Sequence, residues 1–198
     1  MFARAPLAGR VKTRLIPRLG AEGAARLHVR LIRHAVRLAR DARCGPVELH
    51  ATAPHGLFRT LGIKVRRQRG RDLGERMHHA LRAALRGHRQ AILIGADVPA
   101  LLPADLRRAR RLLHSTDLVL APAEDGGYAL IGARRLSLRI FAHVHWGSAE
   151  VLAQTLRNVS GSLRCRLLRT LWDLDRPEDL DRLRSRRLSS SARPLARR

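Results

Sequence analysis

A chain of 198 residues that is 45% hydrophobic has room for one domain with a full core and leaves no space for a second of ordinary size. Forty Lys and Arg against 16 Asp and Glu give a net charge of +24. Lysine occurs only at Lys12 and Lys64, and the arginines are spread along the chain rather than gathered in one arm, which disfavours a dedicated nucleic-acid binder. Cys44 and Cys165 form no CxxC pair, the first residues carry no signal-like apolar run, and no stretch is long enough to span a bilayer; the chain reads as a cytoplasmic protein with free thiols.

In chain order, helix and strand patterns alternate, as in a mostly parallel sheet covered on both faces by helices. Residues 1–5 offer a first strand that is short for a central position. Residues 21–42 form an amphipathic helix, with Leu27, Leu31, Ala35 and Leu38 on one stripe and arginines opposite. Strands are expected at 46–53 and 63–68, and a helix at 72–86 with Leu73, Met77, Leu81 and Leu85 at helical spacing. The apolar run at 91–95 suits a central strand buried on both faces. A helix from Pro103 to about His114, strands at 117–122 and 128–132, a helix at 148–157 and a last strand at 167–171 follow. Pro177 opens a short helix in its first turn, where proline is tolerated. Residues 1–184 are thus expected to be the domain, and 185–198 a basic, disordered tail.

Four segments lie where strands end, the edge at which α/β sheets place their ligands. The first runs from Phe2 to Leu15. Its small residues, Ala3 and Gly9 among them, let backbone N–H groups approach a phosphate, and Lys12 and Arg14 add positive charge. Lys12-Thr13 lacks the glycine pattern of a Walker A loop. The second segment, 68–77, makes a strand-to-helix turn in which Asp72 is an N-cap and Gly70 and Arg76 line a nucleotide pocket. In the third, 94–101, Asp97 ends an apolar strand and can present its carboxylate to Mg²⁺ or Mn²⁺. The fourth, 122–128, sets Gly126 and Gly127 beside Glu124, Asp125 and the aromatic face of Tyr128; it reads equally as a ligand loop and as a tight hairpin turn.

Together the segments FARAPLAGRVKTRL, QRGRDLGERM, GADVPAL, PAEDGGYALIG, HWGSAEVLAQTL and WDLDRPEDL, in that order from Phe2 to about Leu183, resemble small bacterial GT-A-like proteins designated glycosyltransferases, including the arsenosugar-biosynthesis type. That family is similar to molybdenum-cofactor and phospholactate guanylyltransferases and sugar cytidylyltransferases, within the nucleotide-diphospho-sugar transferase superfamily. The resemblance implies a single-domain GT-A fold, Rossmann-like, and a divalent cation held first by Asp97 and second by Asp175, with Asp173 in reserve. It also places Trp146 with Gly126, Gly127 and Tyr128 in the sugar or acceptor pocket, and leaves Asp179 as a carboxylate at a helix start. The chain departs from the family at Arg4, where Lys is usual, at Ala129, where a second aromatic is usual, and in its short first strand. His143 and His145 lack a third ligand and read as incidental.

The chemistry implied is transfer from a nucleotide-sugar to a small-molecule acceptor, with Lys12 neutralising the departing diphosphate and Asp125 as general base. Nucleotidyl transfer from a nucleoside triphosphate, which needs Lys12 and Arg14 but no base, is the alternative. A basic nucleic-acid binder and a decayed homologue are further alternatives, and the resemblance favours glycosyl transfer.

Overall fold

The computed structural model describes residues 1–183; the tail expected at 185–198, and the domain boundary at 184, lie outside the described residues. The elements are β1 (Phe2–Ala3), α1 (Ile16–Asp41), β2 (Glu48–Ala51), α2 (Gly56–Arg59), β3 (Lys64–Arg67), α3 (Leu73–Leu85), β4 (Ala91–Ile94), α4 (Pro103–Leu112), β5 (Leu118–Pro122), β6 (Tyr128–Ala133), α5 (Val151–Val159) and β7 (Cys165–Leu167). The chain is helical again over 177–183. Short 3₁₀ turns at Thr13–Leu15 and Leu138–Phe141 complete the set.

β1, β2 and β3 pair in parallel, and β4-β6-β5-β7 form a second ladder. A parallel bridge between Phe2 and Gly95 joins them, so the strands lie in the order β3-β2-β1-β4-β6-β5-β7. β6 runs against both its neighbours because a five-residue turn, 123–127, returns the chain directly beside β5. Connections through helices keep the other strands parallel, the open doubly covered arrangement of an α/β sheet.

Period-two alternation explains why the central strands are wholly apolar. Ile94, Val119, Ala121 and Leu130 pack into one core with Leu31 and Ile32 of α1 and Leu106 and Ala109 of α4. Leu93, Leu118, Leu120 and Ile131, their chain neighbours, pack into a second core with Met77 and Leu81 of α3 and Val159 of α5. Each such leucine, taken fully from water, contributes about 1.5–3 kcal/mol, so a polar substitution on either face would be severe. At the far edge β3 buries neither face: Lys64, Val65, Arg66 and Arg67 are all exposed, and a charged edge discourages further pairing.

Most boundaries agree with the periodicity within a few residues. α1 is kinked near its start: Gly20 (φ 68°, ψ 164°) is non-helical, so the uninterrupted helix runs from residue 21, as its apolar stripe implies. Asp72 caps α3 by accepting from the Glu75 N–H at 2.8 Å, and Asp105 caps α4 by accepting from Leu102 N–H at 2.9 Å. Two boundaries move. β7 sits at 165–167 rather than 167–171, since buried Leu168 and Leu171 turn into the core and only a single bridge, Leu171 to Ala123, rejoins the sheet. α5 starts at Val151 rather than Ser148, because the Ser148 hydroxyl accepts from Glu150 N–H in a turn after Gly147 (φ 90°). No helix among the described residues is long and apolar enough to cross a membrane.

Candidate active site at the carboxyl edge of the sheet

The ends of β1, β4 and the β5–β6 hairpin, together with the segment after β7, surround a cleft of about 720 Å³. Ala3, Lys12, Arg14, Arg76, Asp97, Asp125, Gly127, Tyr128, Trp146 and Asp175 all line it. Gly9, Gly70 and Gly126 do not; they shape the loops that bear the lining residues.

At its centre the Lys12 Nζ lies 3.0 Å from Asp97 Oδ2 and 3.6 Å from Asp175 Oδ1. Arg14 donates to the other oxygen of Asp175 at 2.6 Å. Several local features produce this meeting. Gly9 (φ 74°) and the left-handed Lys12 (φ 48°) curl the opening loop back over the sheet edge. A non-glycine residue in that conformation costs about 1–2 kcal/mol, and such strain gathers at functional sites; the two carboxylates offset it here. Gly95 gives Asp97 room to fold back, as a Cβ at 95 would stand 2.8 Å from Asp97 Oδ1. The backbone of Leu174 donates to the Asp97 carbonyl at 2.9 Å, which draws the closing segment alongside β4. Asp179 then accepts from the N–H groups of Asp175 and Arg176 at 2.9 and 2.7 Å, the capping role expected of it. Arg18 pairs with Asp181, and Arg182 with Glu124 while stacking on Trp172, so the helix that follows Asp175 is fastened to α1 and to the 123–127 turn.

The electrostatics are uneven. Desolvation pushes the Asp97 carboxyl up, but the charge and hydrogen bond of Lys12 more than reverse this and hold it below its ordinary value. Asp173, half-buried beside Asp97 and Asp125, is pushed up to about 6, first by burial and then by those two negative neighbours. Asp173 lines the same cleft and so belongs to the site as well as Asp175.

The fourth segment is a hairpin turn and a cleft wall at once. Asp125 Oδ1 accepts from Gly127 N–H at 2.9 Å, and Gly126 (φ 87°) lies so close to the Ala149 carbonyl that no side chain fits. Opposite stands an apolar wall of Leu73, Met77, Tyr128, Trp146 and Val151. Trp146 lies over Gly74, where a Cβ would come within 2.6 Å of its ring. The Tyr128 hydroxyl points inward and burial raises its pKa, so the ring and not the hydroxyl is what Tyr128 offers the cleft. Arg76 donates to the Gly70 carbonyl at 3.0 Å, which ties the second segment to α3.

Two lining residues were not singled out by the sequence. Gln68 donates to the carbonyls of His50 and Ala3, holding β1 and the 68–77 segment together. His28, 5% exposed, meets the Arg4 carbonyl through Nε2, and its Nδ1 has no hydrogen-bond partner among the described residues. Its position one turn from Ala24 and Ile32, on the buried stripe of α1, was the available signal.

As a cation site the donor set is oxygen-only, which suits a hard ion such as Mg²⁺ or Mn²⁺. Among the described residues no three His, Cys, Asp or Glu side chains converge closely enough to hold a metal by themselves. One or two carboxylates with phosphate oxygens completing the shell is the ordinary arrangement for Mg²⁺ at a nucleotide, and the residues fit that arrangement.

Comparison with known proteins agrees with this geometry. No curated protein matches the chain in sequence. Among solved structures, a candidate nucleotide-diphospho-sugar transferase from Desulfovibrio desulfuricans G20 is 30% identical, with a TM-score of 0.88 over 98% of this chain and 89% of that one. A CMP:2-keto-3-deoxy-manno-octonic acid synthetase in complex with CTP (13% identity, TM-score 0.63, 96% and 97% coverage) shares the fold. So does Rv0371c from Mycobacterium tuberculosis H37Rv (20%, 0.56, 92% and 97%). The family model of an uncharacterized protein conserved in bacteria, DUF2064, matches residues 28–148. The chain belongs to the DUF2064 family and has the GT-A-like fold of nucleotide-diphospho-sugar transferases.

Proposed function

We propose that the protein is a metal-dependent transferase acting on a nucleotide diphosphate, and that it moves a glycosyl group from a nucleotide-sugar to a small-molecule acceptor. The observation that carries this reading is the convergence of Lys12, Asp97 and Asp175 at the carboxyl edge of the sheet, beside the Asp125 turn and an apolar wall. Asp97 and Asp175 would hold Mg²⁺ or Mn²⁺, which when bound supplies charge neutralisation for a diphosphate. Lys12 and Arg14 bind the diphosphate oxygens and stabilise the charge that grows on them as the bond to the sugar breaks. Asp125, exposed and oriented by Gly127 N–H, accepts the proton of the attacking hydroxyl. Trp146 and the ring of Tyr128 pack against the sugar or acceptor.

Nucleotidyl transfer is the second reading, favoured by one feature: Arg4, Lys12 and Arg14 all line the cleft, three positive charges to meet a triphosphate. A thermal-shift screen of UDP-glucose, GDP-mannose, CTP and GTP, each with and without Mn²⁺ or Mg²⁺, tests both. Stabilisation by a nucleotide-sugar that requires metal and is lost in Asp97→Asn supports glycosyl transfer. Stabilisation by a triphosphate alone, with pyrophosphate released on adding acceptor, supports the second reading. If no nucleotide stabilises the protein under any condition, both readings fall.

A further inference from the structure

The carboxylates that would take a cation already hold cationic side chains: Arg14 on Asp175 at 2.6 Å and, shared by both carboxylates, the ammonium of Lys12. Its side chain is 6% exposed and lies beneath the pair, whereas those of Asp97 and Asp175 are 40% and 34% exposed and open to the cleft. A dication at these carboxylates and an ammonium 3.0 Å from one of them repel each other strongly, so the two cannot share the site unchanged. The protein also brings too few ligands together to hold a metal alone among the described residues. A nucleotide diphosphate resolves both difficulties, because its oxygens can receive the ammonium and complete the metal's shell. Lys12 sits in a left-handed backbone conformation three residues after Gly9, and the backbone hydrogen bonds around it, Arg10 N–H to the Leu7 carbonyl and Leu15 N–H to the Lys12 carbonyl, are local.

We infer that Lys12 is a displaceable internal counter-ion, which keeps divalent metal out of the empty cleft and yields Asp97 and Asp175 only when a nucleotide diphosphate binds. Metal and nucleotide therefore bind as a coupled pair. This rests on the reading of the cleft as a nucleotide-diphosphate site.

The test measures free Mn²⁺ by electron paramagnetic resonance during titration of nucleotide-free protein. The wild type binds Mn²⁺ weakly, and Lys12→Met binds it tighter by a factor within the usual coupling range, about 5- to 150-fold. The gain disappears in the Lys12→Met, Asp97→Asn double variant. Lys12→Gln repeats the comparison should the methionine variant fail to fold, with circular dichroism checking each protein. Equal Mn²⁺ affinity in the wild type and both Lys12 variants overturns the inference. UDP and GDP binding, followed by equilibrium dialysis, separates the two levels. If the Lys12 variants gain Mn²⁺ affinity but the wild type binds neither nucleotide, the counter-ion role stands and the nucleotide assignment falls. If the wild type binds UDP or GDP with Mn²⁺ but the Lys12 variants gain nothing, the reverse holds.

Discussion

Lys12 and Asp97, 85 residues apart in the chain, meet at 3.0 Å where the loop after β1 crosses the end of β4. The contact joins two of the four ligand-edge segments, and through Asp175 it reaches the closing segment as well. Its removal should be felt both in stability and in ligand binding.

Asp97→Asn leaves the buried Lys12 ammonium with Asp175, 3.6 Å away, as its acidic neighbour. Stranding a fully buried charge costs roughly 3–5 kcal/mol; because Asp97 is 40% exposed, water makes good part of the loss and about 1–2 kcal/mol is expected. Chemical denaturation measures that cost. Metal-dependent stabilisation by nucleotide should vanish in the same variant, and its persistence would remove Asp97 from the site.

Gly74→Ala tests the apolar wall. The new methyl would stand 2.6 Å from the Trp146 ring and 2.7 Å from Phe141 Cβ, both inside contact distance. Overpacking of this kind costs about 1–3 kcal/mol. Because Trp146 lines the cleft, its fluorescence should shift and affinity for a nucleotide-sugar should fall, whereas a purely structural wall would lose stability alone.

Asp105→Ala provides the contrast. Asp105 caps α4 and takes two hydrogen bonds from Arg169, at 2.9 and 2.6 Å, well outside the cleft. Loss of the cap and of the buried acceptor is expected to cost about 2–4 kcal/mol. Nucleotide affinity of the folded fraction should be unchanged; a drop would mean that α4 positions the site.

His50 makes stability depend on pH. Desolvation between β1 and β3 lowers its pKa from 6.5 to about 4 in the fold. The unfolded chain then binds the extra proton between those values, so stability is full above about 6.5 and declines as pH falls towards 4. Allowing for its partial exposure, the loss is about 1–2 kcal/mol. Denaturation midpoints measured from pH 7 to 4 should decline less steeply in His50→Gln than in the wild type.

Much of the fold could be read along the chain. Leu93 and Ile94, or Leu118 and Val119, are adjacent residues assigned to opposite cores, and an unbroken apolar run announces such a strand. Asp72 and Asp105 mark helix starts through chemistry that acts within four residues. β7 was misplaced because its apolar residues, Leu168 and Leu171, serve the core rather than the ladder.

The site divides along the same line. Local chemistry alone nominated Lys12, Asp97 and the Asp125-Gly126-Gly127 turn, since small residues, a strand-ending carboxylate and a two-glycine loop each leave their mark within a few positions. Which carboxylates share the Lys12 ammonium, that Asp173 stands among them with a raised pKa, and that His28 and Gln68 support the opening loop were decided by tertiary structure. Those facts depend on distances between strand ends, and such distances arise only once the two cores have set the strands in their order.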